Sequence, residues 1–159
     1  MAPVEPVPRY HLYGENEQAD DFDFFHIETI KARSKPLGWS LDPHSHLHLF
    51  QCLIITTGRG RLTDETGIRE VHPDMLAYSP PGVVHGWEFT PDTQGYVVSF
   101  TQDYLSAATD GQDVAHIMAG LGEFNHLTIL RSGDLAKVLR YVEEMADEFD
   151  RGPRRRSVL

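Results

Sequence analysis

The stretch Gly38-Trp39-Ser40-Leu41-Asp42-Pro43-His44-Ser45-His46-Leu47-His48-Leu49-Phe50-Gln51-Cys52-Leu53-Ile54-Ile55-Thr56-Thr57-Gly58 places paired histidines just ahead of an apolar, β-branched run, with a glycine at either end. β-Branched and aromatic residues bounded by turn formers are the signature of a strand, which the pattern predicts over 48–57. Side chains two apart on a strand share a face, so His44 and His46 can approach the same ion or ligand.

Outward from this stretch the same texture recurs, and strands are predicted over 24–32, 59–63, 68–72, 75–79, 83–89 and 95–101. Asp64-Glu65-Thr66-Gly67 reads as a hairpin turn and Pro80-Pro81-Gly82 as a sharp corner. Short strands at such regular spacing argue for a sandwich or a barrel. After Thr101 the period becomes helical, predicting helices over 102–108, 114–120 and 134–149. In the last, Leu135, Val138, Leu139, Val142, Met145, Ala146 and Phe149 form one apolar stripe, with Ser132 or Asp134 as N-cap and Gly152-Pro153 as a stop. Such a stripe packs on its own barrel or on a second subunit; packing in cis is favoured for part of it.

A second spaced set lies downstream: Asp74, Pro80-Pro81-Gly82, His85 and Phe89. With Gly38, His44-Ser45-His46, Gln51 and Gly58, it resembles the two motifs of the cupins, with Gln51 at the usual glutamate position, Asp74 at the first glycine of the second motif and Phe89 at its final asparagine. The resemblance narrows through Ser79-Pro80-Pro81-Gly82-Val83-Val84-His85-Gly86 and Pro91-Asp92-Thr93-Gln94-Gly95-Tyr96, followed by helices, to the amino-terminal domain of AraC-family transcription regulators. It implies an all-β fold with C-terminal helices: a cupin barrel (double-stranded β-helix, jelly roll) followed by an α-helical dimerisation segment. The implied organisation is an arm over 1–21, a sensing barrel over 22–101, a helical dimerisation segment over 102–151 and, over 152–159, the start of a linker to a helix-turn-helix domain that this chain lacks. Val7-Pro8-Arg9-Tyr10-His11-Leu12-Tyr13-Gly14-Glu15, Phe25-His26-Ile27-Glu28 and Pro43-His44-Ser45-His46 resemble regulators that respond to 4-hydroxybenzoate.

Composition agrees with a regulator's sensing part. At 159 residues the chain supports one compact core with appendages. No apolar run approaches the roughly 20 residues of a membrane span, and the start Met-Ala-Pro-Val-Glu-Pro-Val-Pro lacks the features of a secretory signal. One cysteine forms no internal disulfide, in keeping with a cytoplasmic location, and Cys52 in its apolar run is expected to be inert. Fourteen basic against 24 acidic residues give a net charge of −10, so DNA contact is expected only through the absent domain.

Neutral imidazole is a good ligand for divalent metals. His44, His46 and His85, with Gln51 as a fourth donor, are therefore the candidate ligands for zinc, nickel, manganese or iron, though no cofactor is required by the sensor reading. Replacing glutamate by Gln51 removes a charge and a candidate base, which argues against catalysis. His46 and Gln51 differ by an odd number and would face opposite sides of one regular strand, so either a bulge turns Gln51 inward or His48 points inward instead. The bland alternative is a hydrogen-bonded polar patch, or an effector pocket without metal.

The effector site is expected at Arg33, Trp39, His44, His46, Phe50, Tyr78, His85 and Trp87, with Phe89 beside them. An aromatic carboxylate needs a donor fork, which Arg33 offers; Arg61 is expected on the solvent face. A homodimer is the expected assembly. Two competing readings are a stand-alone metal-dependent cupin enzyme, such as a dioxygenase or isomerase, and a purely structural dimerisation module with a filled interior.

Overall fold

The computed structural model describes residues 6–8, 24–73, 75–108, 116–117, 120, 128–131 and 135–151, the backbone alone for 128–131. The expected arm apart from 6–8, the tail over 152–159, Asp74, Asp134, Ser132, the Gly152-Pro153 stop and most of the 114–120 helix lie outside them.

Among the described residues, nine strands make two antiparallel sheets: β1 (Phe25–Thr29), β2 (Ser40–His44), β3 (Phe50–Thr57), β4 (Gly60–Asp64), β5 (Gly67–Val71), β6 (Met75–Ser79), β7 (His85–Phe89), β8 (Gln94–Phe100) and β9 (Thr128–Arg131). They pair as β1-β8-β3-β6-β9 and β2-β7-β4-β5. The first eight thus follow the pairing order of a jelly roll, as the strand spacing and the cupin likeness implied.

The apolar run in β3 shows how the layers form. Leu53 and Ile55 face the other sheet and join Leu41, Leu62, Trp87 and Phe89 in the main core. Ile54 faces outward and joins Ile27, Val98 and Val142 in a second cluster. A strand covered on both faces needs apolar residues at successive positions, which is why this run does not alternate. The outer cover is α3 (Leu135–Arg151), so its stripe packs in cis through Val138, Leu139, Val142, Ala146 and Phe149. Tyr141 and Met145 remain 48% and 37% exposed. None of the helices among the described residues is long and apolar enough to cross a membrane.

Three departures from the sequence reading matter for the site. The first strand stops at Thr29, whose hydroxyl accepts from Ala32 N at 3.1 Å and caps α1 (Ile30–Ser34). A separate strand, β2, precedes the apolar run; it lies at a sheet edge, where Pro43 breaks no ladder, and its pairing with β7 is irregular between Leu41 and His44. β3 begins at Phe50 and not at 48, because the Leu47-His48 bend intervenes. β9 was also unforeseen and pairs with β6. α2 (Gln102–Ala108) falls where expected.

Candidate functional site

His44 ends β2 and lies directly opposite His85, the first residue of β7. His46 follows just beyond β2, and its carbonyl accepts from Gly82 N at 2.7 Å, so the Pro80-Pro81-Gly82 corner anchors the loop that carries it. The three side chains are 2%, 3% and 2% exposed for His44, His46 and His85. One ring nitrogen from each lies within 4.8 Å of the others.

Hydrogen bonds set the tautomers of two rings. His44 Nδ1 meets Asp42 O at 2.8 Å and His85 Nδ1 meets Val83 O at 3.0 Å; a carbonyl can only accept, so both Nδ1 atoms carry the proton. Ser79 Oγ lies 3.2 Å from the same His85 nitrogen. Both Nε2 atoms are left with a lone pair. Burial, and then the proximity of His85, pushes His44 down to about 3. Burial, and then His46, pushes His85 down to about 4. Both rings are neutral near pH 7, the form that ligates.

This donor set fits a divalent metal. Neutral imidazoles whose second nitrogen donates to a backbone carbonyl are the usual arrangement around a bound ion. Bonds of about 2.0–2.1 Å in a tetrahedron put the nitrogens roughly 3.3 Å apart, so the rings need to draw together by small rotations.

The histidines open onto a cavity between the sheets. About 580 Å3 there is free of atoms, part of it continuous with solvent. Arg33, His44, His46, Gln51, Tyr78, His85, Trp87 and Phe89 all contribute to its wall. The Trp87 and Phe89 rings stack at 5.3 Å, giving it a flat apolar side.

The expected register conflict does not arise. His46 follows a strand of one sheet and Gln51 belongs to β3 in the other, so each reaches the cavity from its own side with β3 in regular register at Gln51; the one irregularity of its pairing with β8 lies further on, between Ile55 and Thr57. His48 is exposed, which overturns the reading that it points inward. The Gln51 amide nitrogen donates to Ser99 Oγ at 3.0 Å.

Trp39 and Phe50 stand outside this wall: Trp39 packs on the main core, and Phe50 stacks on Phe100 at 5.5 Å. Arg61 lies on the outer face, 51% exposed, between Glu70 at 3.3 Å and Glu88 at 3.4 Å. Glu28 was not anticipated. It contributes to the wall and accepts from Arg33 Nε at 2.7 Å, a pairing that joins β1 to α1 across a strand-to-helix junction that no fixed sequence spacing reveals. Burial would raise the Glu28 carboxyl, but the nearby His26 ring and the hydrogen bond and charge of Arg33 outweigh it and hold the group below the usual carboxylate range.

The model of the family described as "AraC-like ligand binding domain" matches residues 26–150. The chain belongs to this family. The match spans both sheets and α3 of this AraC-like domain, including every histidine of the cluster. No curated protein matches it. Among solved structures it is similar to the AraC-like transcriptional activator CuxR, at 18% identity and a TM-score of 0.46, over 79% of this chain and 40% of that one. It is similar to ToxT from Vibrio cholerae O395 bound to (E)-4-(8-methylnaphthalen-1-yl)but-3-enoic acid, at 11% identity and a TM-score of 0.46, over 76% and 48%. A Bacillus subtilis oxalate decarboxylase variant matches at 16% identity and a TM-score of 0.32, over 48% and 27%. The AraC-like domain thus spans less than half of the two regulators it matches.

Proposed function

We propose that this AraC-like domain is the sensing part of a transcription regulator, and that its effector binds between the sheets against Arg33, Tyr78, Trp87 and the histidine cluster. The observation that carries the reading is a single cavity in which a guanidinium, three imidazoles and a stacked aromatic wall converge. An aromatic acid such as 4-hydroxybenzoate matches that chemistry: the ring meets Trp87 and the carboxylate meets Arg33. A divalent metal held by His44, His46 and His85, with Gln51 nearby, would add positive charge for the same carboxylate.

The net charge of −10 disfavours a phosphate backbone as partner of this domain and so supports the reading that DNA contact belongs to another part of the regulator. The exposed Tyr141 and Met145, one turn apart on α3, support pairing of two copies along this helix.

A metal-dependent enzyme is the second reading, favoured by the histidine cluster alone. Calorimetric titration of metal-analysed protein with 4-hydroxybenzoate separates the two. Saturable binding without turnover supports the sensor; stoichiometric redox-active metal with turnover and no such binding refutes it.

A further inference from the structure

Arg33 is the one Lys or Arg side chain, and Glu28 the one acidic side chain, among the described residues of the cavity wall. They form an ion pair at 2.7 Å, with side chains only 18% and 17% exposed. The second Glu28 oxygen, Oε2, lies 3.6 Å from His26 Nε2. The His26 ring in turn meets Phe149 edge-on, with centroids 5.4 Å apart at 88°. Phe149 belongs to the final turn of α3. One carboxylate therefore holds the cavity's cation with one oxygen and faces, with the other, the buried His26 nitrogen on the ring that packs against the outer helix.

An acid entering this cavity brings a second anion to a guanidinium that already holds one. At short range and low solvent exposure two carboxylates around one cation repel strongly, so the incoming group competes with Glu28 for Arg33. Resting on the reading of the cavity as an acid-binding site, we propose that Glu28 is its specificity-determining residue. It is the built-in competitor that an effector must displace from Arg33, and its displacement toward His26 alters the hold on Phe149. A neutral analogue cannot take the guanidinium from a carboxylate, so the same residue that weakens every acid selects for the ionised ones. The coupling to α3 needs no moving part beyond the carboxylate, because His26 already bridges it to the helix.

The test compares wild type, Glu28→Gln, Arg33→Met and the double variant, with the ring signals of His26 and Phe149 followed by NMR. Without ligand, Arg33→Met is expected to shift both sets of signals, and the double variant is expected to match Glu28→Gln alone. Unmoved signals in Arg33→Met, or shifts that persist unchanged without Glu28, overturn the coupling. If Arg33→Met does not fold, Arg33→Lys, which keeps the charge but lacks the Nε donor, serves in its place. With 4-hydroxybenzoate added, Glu28→Gln is expected to bind roughly tenfold tighter than wild type, with His26 and Phe149 signals that no longer respond. Weaker binding by Glu28→Gln refutes the competition. If the acid binds none of the proteins while the ligand-free shifts behave as stated, the effector class is wrong and the coupling through Glu28 is upheld.

Discussion

His44 and His85 face each other across the β2–β7 pair, their ring centroids 4.7 Å apart, in a fully buried setting. A proton on either ring is therefore costly in the fold and cheap in the unfolded chain. Their folded values of about 3 and about 4 lie below the ordinary 6.5, so the unfolded state binds more protons between those limits. Their contribution is complete above about pH 6.5 and is lost as the pH falls toward 4 and then 3. Urea midpoints of metal-free protein are expected to drop between pH 7.5 and 5, reflecting a loss of unfolding free energy of up to about 1.4 kcal/mol per histidine for each unit below 6.5. A flat midpoint across that range would show that these rings are already charged or solvated.

Metal capture by the same pair is the direct test of the proposed ligand set. Equilibrium dialysis against zinc or nickel should give one ion per chain, lost in His44→Ala and in His85→Ala. Ser79→Ala, which removes the hydroxyl beside His85 Nδ1, should weaken binding by roughly tenfold or more without abolishing it. Absence of bound metal in wild type leaves the cluster as a polar wall.

Gly95 holds a second constraint. Its φ is +149°, and a Cβ there would meet Ile54 O at 2.0 Å, so β8 approaches β3 more closely than any side chain allows. Gly95→Ala should cost roughly 3 kcal/mol or more, read as a fall in the urea midpoint. A loss under about 1 kcal/mol means the backbone there yields easily.

Helix α3 offers a contrast between its faces. Val142 is 5% exposed in the outer cluster, and Val142→Ala should destabilise by about 2 kcal/mol, whereas Met145→Glu on the exposed side should stay within about 0.5 kcal/mol. Sedimentation of the same variants tests pairing of copies: a dimer that survives Met145→Glu does not use this face.

Burial pushes the Cys52 thiol up to about 12. At pH 8 only about one thiol in 10,000 is then ionised, and a disulfide reagent should modify Cys52 slowly in the folded protein and at once in urea. Rapid labelling under native conditions contradicts the apolar setting.

Much of the fold was legible because strands carry their own punctuation. The β3 run, the Asp64–Gly67 turn and the α3 stripe each state a period or a break, and each stands where the sequence put it to within a residue or two. β2 was illegible because Asp42-Pro43 inside it reads as a turn; the edge position that tolerates the proline is a property of the sheet. β9 belongs to the edge of β6, a pairing that no local pattern announces. The histidines were found from spacing, but Glu28 and Ser79 were not, since their roles depend on Arg33 and His85 being brought to them.

By itself, then, the sequence determined seven of the nine described strands, which face of α3 is apolar and that His44, His46 and His85 belong together. Periodicity and turn chemistry are local, so one chain suffices to express them. Only the tertiary structure decided that His46 and Gln51 approach one cavity from opposite sheets, that α3 closes over β3 and that Arg33 is already held by Glu28. Those are relations between residues distant along the chain or across a junction of elements, set by which surfaces must leave water together, and no spacing encodes them.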